Sequence, residues 1–100
     1  MNMQQMMMQA QKMQRELAKA LNELNSKEFE VSKGGAVTVV VLGSHEIKSI
    51  KIDEDAFEKD NKEMIEEMVT MAINEAFGAI DKARGDINER ITGSRNGLGM

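Results

Sequence analysis

Apolar residues recur at alternating steps of three and four along the first quarter of the chain. This spacing matches the a and d positions of a heptad, which lie in one stripe along an α-helix. We therefore predict a single helix over residues 2–25, about 35 Å long at roughly 1.5 Å per residue. The stripe comprises Met3, Met6, Ala10, Met13, Leu17, Ala20 and Leu24.

The following segments alternate with a period near two, which is typical of strands with one buried face. The middle segment is β-branched almost throughout, so we expect it to be the central strand of an antiparallel meander. The apolar residues of the third segment do not alternate cleanly, which predicts a bulge or burial on both faces. The strands contain Phe29 and Val31, residues 36–42, and residues 47–52, and they are separated by Gly34-Gly35 and Gly43.

A second long helix is predicted after an acidic connector. Residues 60–83 carry an apolar face that is wider than a two-helix seam requires, so this helix should pack on the sheet. Gly78 lies inside it, at a cost of about 1 kcal/mol relative to alanine. We therefore expect the helix to approach another backbone closely at Gly78.

The spacing of apolar residues is less regular towards the end of the chain. Past Gly85, Ile87 and Ile91 are four residues apart, which predicts a short terminal helix. The glycines beyond it predict a flexible tail over residues 93–100. Together these elements make one α+β domain over residues 1–92, because 100 residues can form one modest core and not two.

Composition narrows the possible functions. The chain has no cysteine, which excludes disulfides and thiolate metal sites and fits a reducing cytoplasm. No apolar run approaches the roughly 20 residues of a membrane span. The net charge of −4 argues against nonspecific binding of nucleic acid by the molecule as a whole. Charges farther apart than about 8–10 Å are screened, however, so the charge of each local face matters more.

The charges of the first helix are sorted by face. Lys12, Arg15 and Lys19, here called the basic ridge, repeat at steps of three and four on the outward side. The two acids of the segment, Glu16 and Glu23, occupy g positions beside the apolar stripe. The outward side of the longest predicted arm is therefore free of negative charge.

No constellation for catalysis is present. Ser44, His45 and Glu46 are adjacent in a predicted turn, and adjacent residues do not converge on one point, so we expect solvated turn residues. Neither a GxGxxG pattern nor a Walker motif occurs. The acidic connector at residues 53–60 lacks the glycine and the oxygen spacing of an EF-hand. We expect no enzyme activity, no cofactor, no metal site and no small-molecule substrate.

The basic ridge has two interpretations. Solvation of a helix face is the ordinary one, but 17 of the 100 residues are Asp or Glu and none lies on this face. Gln11 adds a further hydrogen-bond donor. Two ridges in a symmetric dimer would present six cations, and no aromatic residues interleave them for stacking on single strands. This pattern favours backbone contacts to duplex DNA.

Several motifs occur in an order and spacing that resemble the YbaB/EbfC family of bacterial nucleoid-associated proteins. The resemblance spans nearly the whole chain and implies an α–β–β–β–α protomer, a tweezer-like homodimer and helical arms that contact duplex DNA. It also implies a non-enzymatic role in nucleoid organisation or gene regulation in the cytoplasm. The motifs are AQKMQ at residues 10–14, Gly34-Gly35 leading into Val37-Thr38-Val39, Gly43, Ile52-Asp53, DNKEMIEEMVTMAINEA at residues 60–76, and the glycines from Thr92-Gly93 to Gly97-Leu98.

The chain departs from the family pattern at Leu42 and Glu54, where a polar residue and a proline are usual. The resemblance places the candidate DNA contacts on the first helix and on the terminal helical segment. A rival hypothesis is a protein-interaction module in which the Met-rich stripe binds a partner helix. The N-terminal methionines could be thioether ligands for Cu(I), but their distribution around the first turns favours an adaptable packing surface. The candidate DNA contacts are Gln11, Lys12, Arg15, Lys19, Lys82, Arg84 and Arg90.

Overall fold

The computed structural model of the protein describes residues 2–96, which form two long helices around one sheet. The order of these elements confirms the predicted α+β architecture. Two short 3₁₀ turns, at Glu54–Ala56 and Lys59–Asn61, connect the sheet to the second helix. The elements are α1 (Met3–Ser26), β1 (Glu28–Lys33), β2 (Val37–Leu42), β3 (Ile47–Ile52) and α2 (Lys62–Thr92).

The sheet is antiparallel with β2 in the centre, as the sequence predicts. Gly34 and Gly35 both have positive φ, at 58° and 67°, which suits the tight turn between β1 and β2. Val39 pairs with Val31 on one side and with Ile50 on the other. The register between β2 and β3 shifts next to Val40, so the irregular third strand is explained by a bulge.

The core lies between one face of the sheet and α2, which crosses β2 and β1. Alternate residues of β2 point towards the helix and are fully buried because both neighbouring strands and α2 cover them. Small residues on α2 allow the helix axis to approach the sheet closely. The buried cluster consists of Val37, Val39 and Val41 from β2 with Ala72, Ala76 and Ile80 from α2.

The apolar stripe of α1 packs against the C-terminal half of α2. Leu24 is buried, and together with Ala20 it lines a surface hollow with Ala83 and Ile87. Ile91, farther along α2, lies beside residues 9–13. The two helices are therefore antiparallel, and α2 covers the second half of the α1 stripe.

The predicted short terminal helix is not a separate element. The helix α2 continues without a break through Gly85 to Thr92, and Gly93 ends it with a left-handed φ of 81°. The helix continues past Gly85 because Ile87 and Ile91, which follow it on α2, pack against α1. Residues 93–96 turn back along α2, and the rest of the predicted tail, residues 97–100, lies outside the described residues.

Gly78 does not make the close backbone contact that we expected. A Cβ atom built at Gly78 has nothing within 4 Å, and the residue is exposed on α2. We therefore expect Gly78→Ala to stabilise the chain by about 0.5–1 kcal/mol, since alanine loses less backbone entropy in a helix. Urea denaturation of both proteins measures the change. A loss of stability would mean that a second polypeptide packs against Gly78.

Candidate nucleic-acid interface

The basic ridge lies on the exposed side of α1. Lys12, Arg15 and Lys19 are all exposed, whereas the stripe residues Met13 and Leu17 on the other side are half-buried. Asn2 is the N-cap of this helix, because its side-chain oxygen accepts a 2.8 Å hydrogen bond from the Gln5 backbone N–H. A regular, capped helix holds the three cations in one row, about 10 Å from first to last.

Arg90 of α2 lies next to this part of α1. It lines a surface hollow together with Glu16, Lys19 and Glu23. The structure therefore brings Arg90 to the edge of the basic ridge, with two carboxylates in the same hollow. Those acids offset part of the charge of both Arg90 and Lys19, which line the same hollow.

Lys82 is exposed on α2, eight residues before Arg90 and thus about 12 Å from it along the helix. Its backbone carbonyl accepts a 3.4 Å hydrogen bond from Arg95, whose guanidinium also donates to Asp86 at 3.0 Å and to Glu89 at 2.7 Å. The hydrogen bonds that Arg95 donates to the Glu89 and Asp86 carboxylates raise its pKa above the ordinary value. Lys82 therefore stands beside a network of mixed charge rather than in a basic row.

The contacts of Arg95 with α2 were not predicted from the sequence, because this residue lies in the segment expected to be a flexible tail. Its guanidinium covers Gly85, where an added Cβ atom would lie 2.9 Å from Cζ. A local signal did exist: Gly93 directly after a helical pattern is the usual position for a left-handed cap that reverses the chain.

Arg84 is placed apart from the other candidates. Its Nη2 atom donates to the Gly43 carbonyl at 3.0 Å and to the Asn25 side chain at 3.4 Å, and the residue is half-buried. It thereby joins the C-terminal half of α2 to the end of α1 and the end of β2. This contact gives Arg84 a structural role, because a guanidinium that bonds a buried carbonyl leaves fewer donors for a phosphate.

His45 has more contacts than the expected solvated turn residue. Its Nε2 atom lies 3.0 Å from Asp81, and its ring meets Phe77 edge to face at 5.2 Å between centroids. These contacts fasten the β2–β3 turn to α2. No nucleophile or second base belongs to this group, so it does not resemble a hydrolytic triad.

Among residues 2–96, no three His, Cys, Asp or Glu side chains converge as metal ligands. Neither helix contains a stretch that is both long and apolar enough to cross a membrane, again within those residues.

Comparison with known proteins identifies the family. Residues 1–95 match the profile of the YbaB/EbfC DNA-binding family. A nucleoid-associated protein of Ruminiclostridium cellulolyticum is 40% identical over 98 residues, covering 97% of this chain and 85% of the relative. One of Clostridium novyi is 41% identical over 101 residues, covering 100% and 89%.

A solved structure supports the fold. The crystal structure of an uncharacterized protein from Helicobacter pylori superimposes with a TM-score of 0.70 at 22% identity, and the match covers 87% of this chain and 92% of that one. The matched family is a DNA-binding family and not a family of enzymes. From the profile match and the close relatives, the chain belongs to the YbaB/EbfC DNA-binding family.

Proposed function

We propose that the protein is a homodimer that binds duplex DNA with weak sequence preference and serves nucleoid organisation or gene regulation in the cytoplasm. The basic ridge on the exposed face of α1 carries this proposal. The chain belongs to a DNA-binding family, and two of its relatives are nucleoid-associated proteins; both findings support the proposal. We propose no enzyme activity for the protein, and we expect it to bind neither a membrane nor a small-molecule substrate.

The ridge suits a phosphate backbone better than base edges. Its row of about 10 Å equals roughly three successive phosphate steps of one strand, which rise 3.4 Å each along the helix axis. Lys12 and Lys19 offer flexible ammonium groups, and Arg15 offers a planar fork. Contacts to phosphate position a protein without reading sequence, which supports the weak preference. Gln11 and Arg90 border the ridge and add donors at its edge.

An uncovered apolar surface supports the homodimer. Ile50 pairs with Val39 and Ile47 pairs with Val41, so both isoleucines face the same side of the sheet as the core valines. The valines are fully buried, whereas Ile47 and Ile50 are 43% and 44% exposed because α2 crosses β2 and β1 and leaves β3 open. Phe57, just beyond β3, is 67% exposed. A second copy that covers this surface would complete the core.

A mobility-shift series with random-sequence duplex DNA tests the function. Six phosphate contacts in a dimer predict that log K falls with log salt at a slope of about −5. Two duplexes of unrelated sequence should bind within about tenfold of each other, since phosphates are arranged alike on any duplex and contacts to them carry no sequence information directly. No shift at low salt, together with a stoichiometric protein partner in pull-downs, would favour the rival interaction module.

The dimer surface makes a separate prediction. We expect Ile50→Asp to leave a folded single chain of 11.2 kDa, because a carboxylate on the uncovered face would be buried without a partner in the dimer. Sedimentation equilibrium measures the mass. Ser49→Asp is the matched control, since the neighbouring position on the same strand faces the other side of the sheet. If Ile50→Asp sediments as a dimer, β3 is not the interface.

A further inference from the structure

The N-terminal end of α1 extends past the helix that covers the rest of it. The helix α2 ends at Thr92, and its last apolar residue, Ile91, lies beside residues 9–13 of α1. The turns before that point carry four exposed methionines. Met3 is 78% exposed, and Met6, Met7 and Met8 are 57%, 58% and 61% exposed.

The uncovered surface continues an interface that the fold already uses. Met13 and Leu17 are half-buried and Leu24 is buried where α1 packs on α2. Met6 and Met3 belong to the same heptad stripe, about two and three turns nearer the start of the helix than Met13. Met7 lies about 100° from Met6 and widens the stripe, while Met8 lies roughly 160° away on the opposite side.

The same segment is free of side-chain charge. Residues 2–11 contain no Asp, Glu, Lys or Arg, although 30 of the 100 residues of the chain are charged. Two copies with a net charge of −4 each repel one another over most of their surfaces. An uncharged apolar end is the place where two copies can approach at the least electrostatic cost.

We propose that this end of α1 is a docking surface for the same segment of a second copy, with the two helices antiparallel. In this arrangement Met6 of one chain lies against Met6 and Met7 of the other, and Met3 lies near Ala10. Lys12 and Glu16 both lie beyond the methionine contact, and Lys12 stays on the outward side of α1. The pairing is two-fold symmetric, so each chain contributes the same residues to it, and it brings no charged side chains of residues 2–11 together.

The contact is small and therefore weak. A few methionines per chain bury less than the roughly 1,200 Å² of total surface that stable interfaces need. Such a contact does not depend on the β3 surface, and it forms when the chains are concentrated, either in solution or on a shared scaffold that supplies millimolar effective concentrations. This contact is tested without DNA, so its absence would leave the proposed DNA binding unaffected.

Cysteine cross-linking tests the contact, because the native chain has no cysteine. Met6→Cys and Met8→Cys are oxidised with copper phenanthroline over a range of protein concentrations. Disulfides form only when the two Cα atoms lie within about 7 Å. We expect the covalent two-chain product from Met6→Cys to exceed that from Met8→Cys at least fivefold. Equal yields from the two variants, or a higher yield from Met8→Cys, would overturn the proposal.

Two additions separate this surface from the others. The Met6→Cys cross-link should persist in the Ile50→Asp background, because the end of α1 is remote from β3. The yield of the Met6→Cys cross-link should fall to the yield obtained with Met8→Cys when Met3 and Met7 are both replaced by glutamine. These replacements remove the apolar contact but keep helix propensity. A cross-link that disappears with Ile50→Asp, or survives the glutamine replacements, would also overturn the proposal. Circular dichroism checks that every variant is folded.

Discussion

Gly43→Ala is expected to destabilise the protein by more than about 3 kcal/mol. A Cβ atom at Gly43 would lie 2.6 Å from the carbonyl carbon of Leu24 and would overlap the carbonyl oxygen. The obstacle is backbone in α1, which cannot rotate away as a side chain can. For a domain of this size the melting temperature should fall by roughly 12 °C or more.

The contacts around Gly43 explain why the chain cannot yield there. The Gly43 N–H donates to the Lys27 carbonyl at 2.9 Å, and the Gly43 carbonyl accepts from Arg84 at 3.0 Å. Moving β2 away from α1 would stretch both bonds and expose Leu24. Gly78→Ala is the control, because the same added methyl group meets open space there. A Gly43→Ala protein that melts within about 2 °C of the wild type would show that β2 and α1 can move apart at this junction at little cost in stability.

The helices and strands could be predicted because their patterns are local. The stripe from Met3 to Leu24 has helical period, and the segment at residues 36–42 is β-branched on both faces. Neither property depends on what the element packs against. The junction at Gly43 could not be predicted in the same way. The sequence indicates a turn glycine there, and the requirement for glycine comes instead from α1, which passes close by in the folded chain.

The same distinction applies to the candidate site. The heptad alone places Lys12, Arg15 and Lys19 outward, and the structure leaves all three exposed. Arg84 looks equally basic in the sequence, but its partners, Gly43 and Asn25, are 41 and 59 residues away along the chain. Contacts of that range depend on how the elements assemble, so a charge count cannot separate a structural arginine from a free one.

The basic ridge therefore makes the clearest functional prediction. Replacing Lys12, Arg15 and Lys19 by glutamine should weaken binding of random duplex DNA at least about a hundredfold near 0.1 M salt. The salt slope should move from about −5 towards zero, because the counterions released by these cations no longer contribute. Glutamine keeps helix propensity close to that of lysine and arginine, so circular dichroism should not change. Mobility shifts at four or more salt concentrations give both quantities.

A matched variant removes net charge as an explanation. Lys48, Lys51 and Lys59 are also exposed, and their replacement by glutamine changes the charge by the same three units away from α1. If average charge governed binding, the two triple variants would lose affinity equally. If the ridge is the contact surface, the control keeps the steep slope, because screening limits each phosphate to cations within about 8–10 Å. An unchanged slope in the ridge variant would move the DNA contacts off α1.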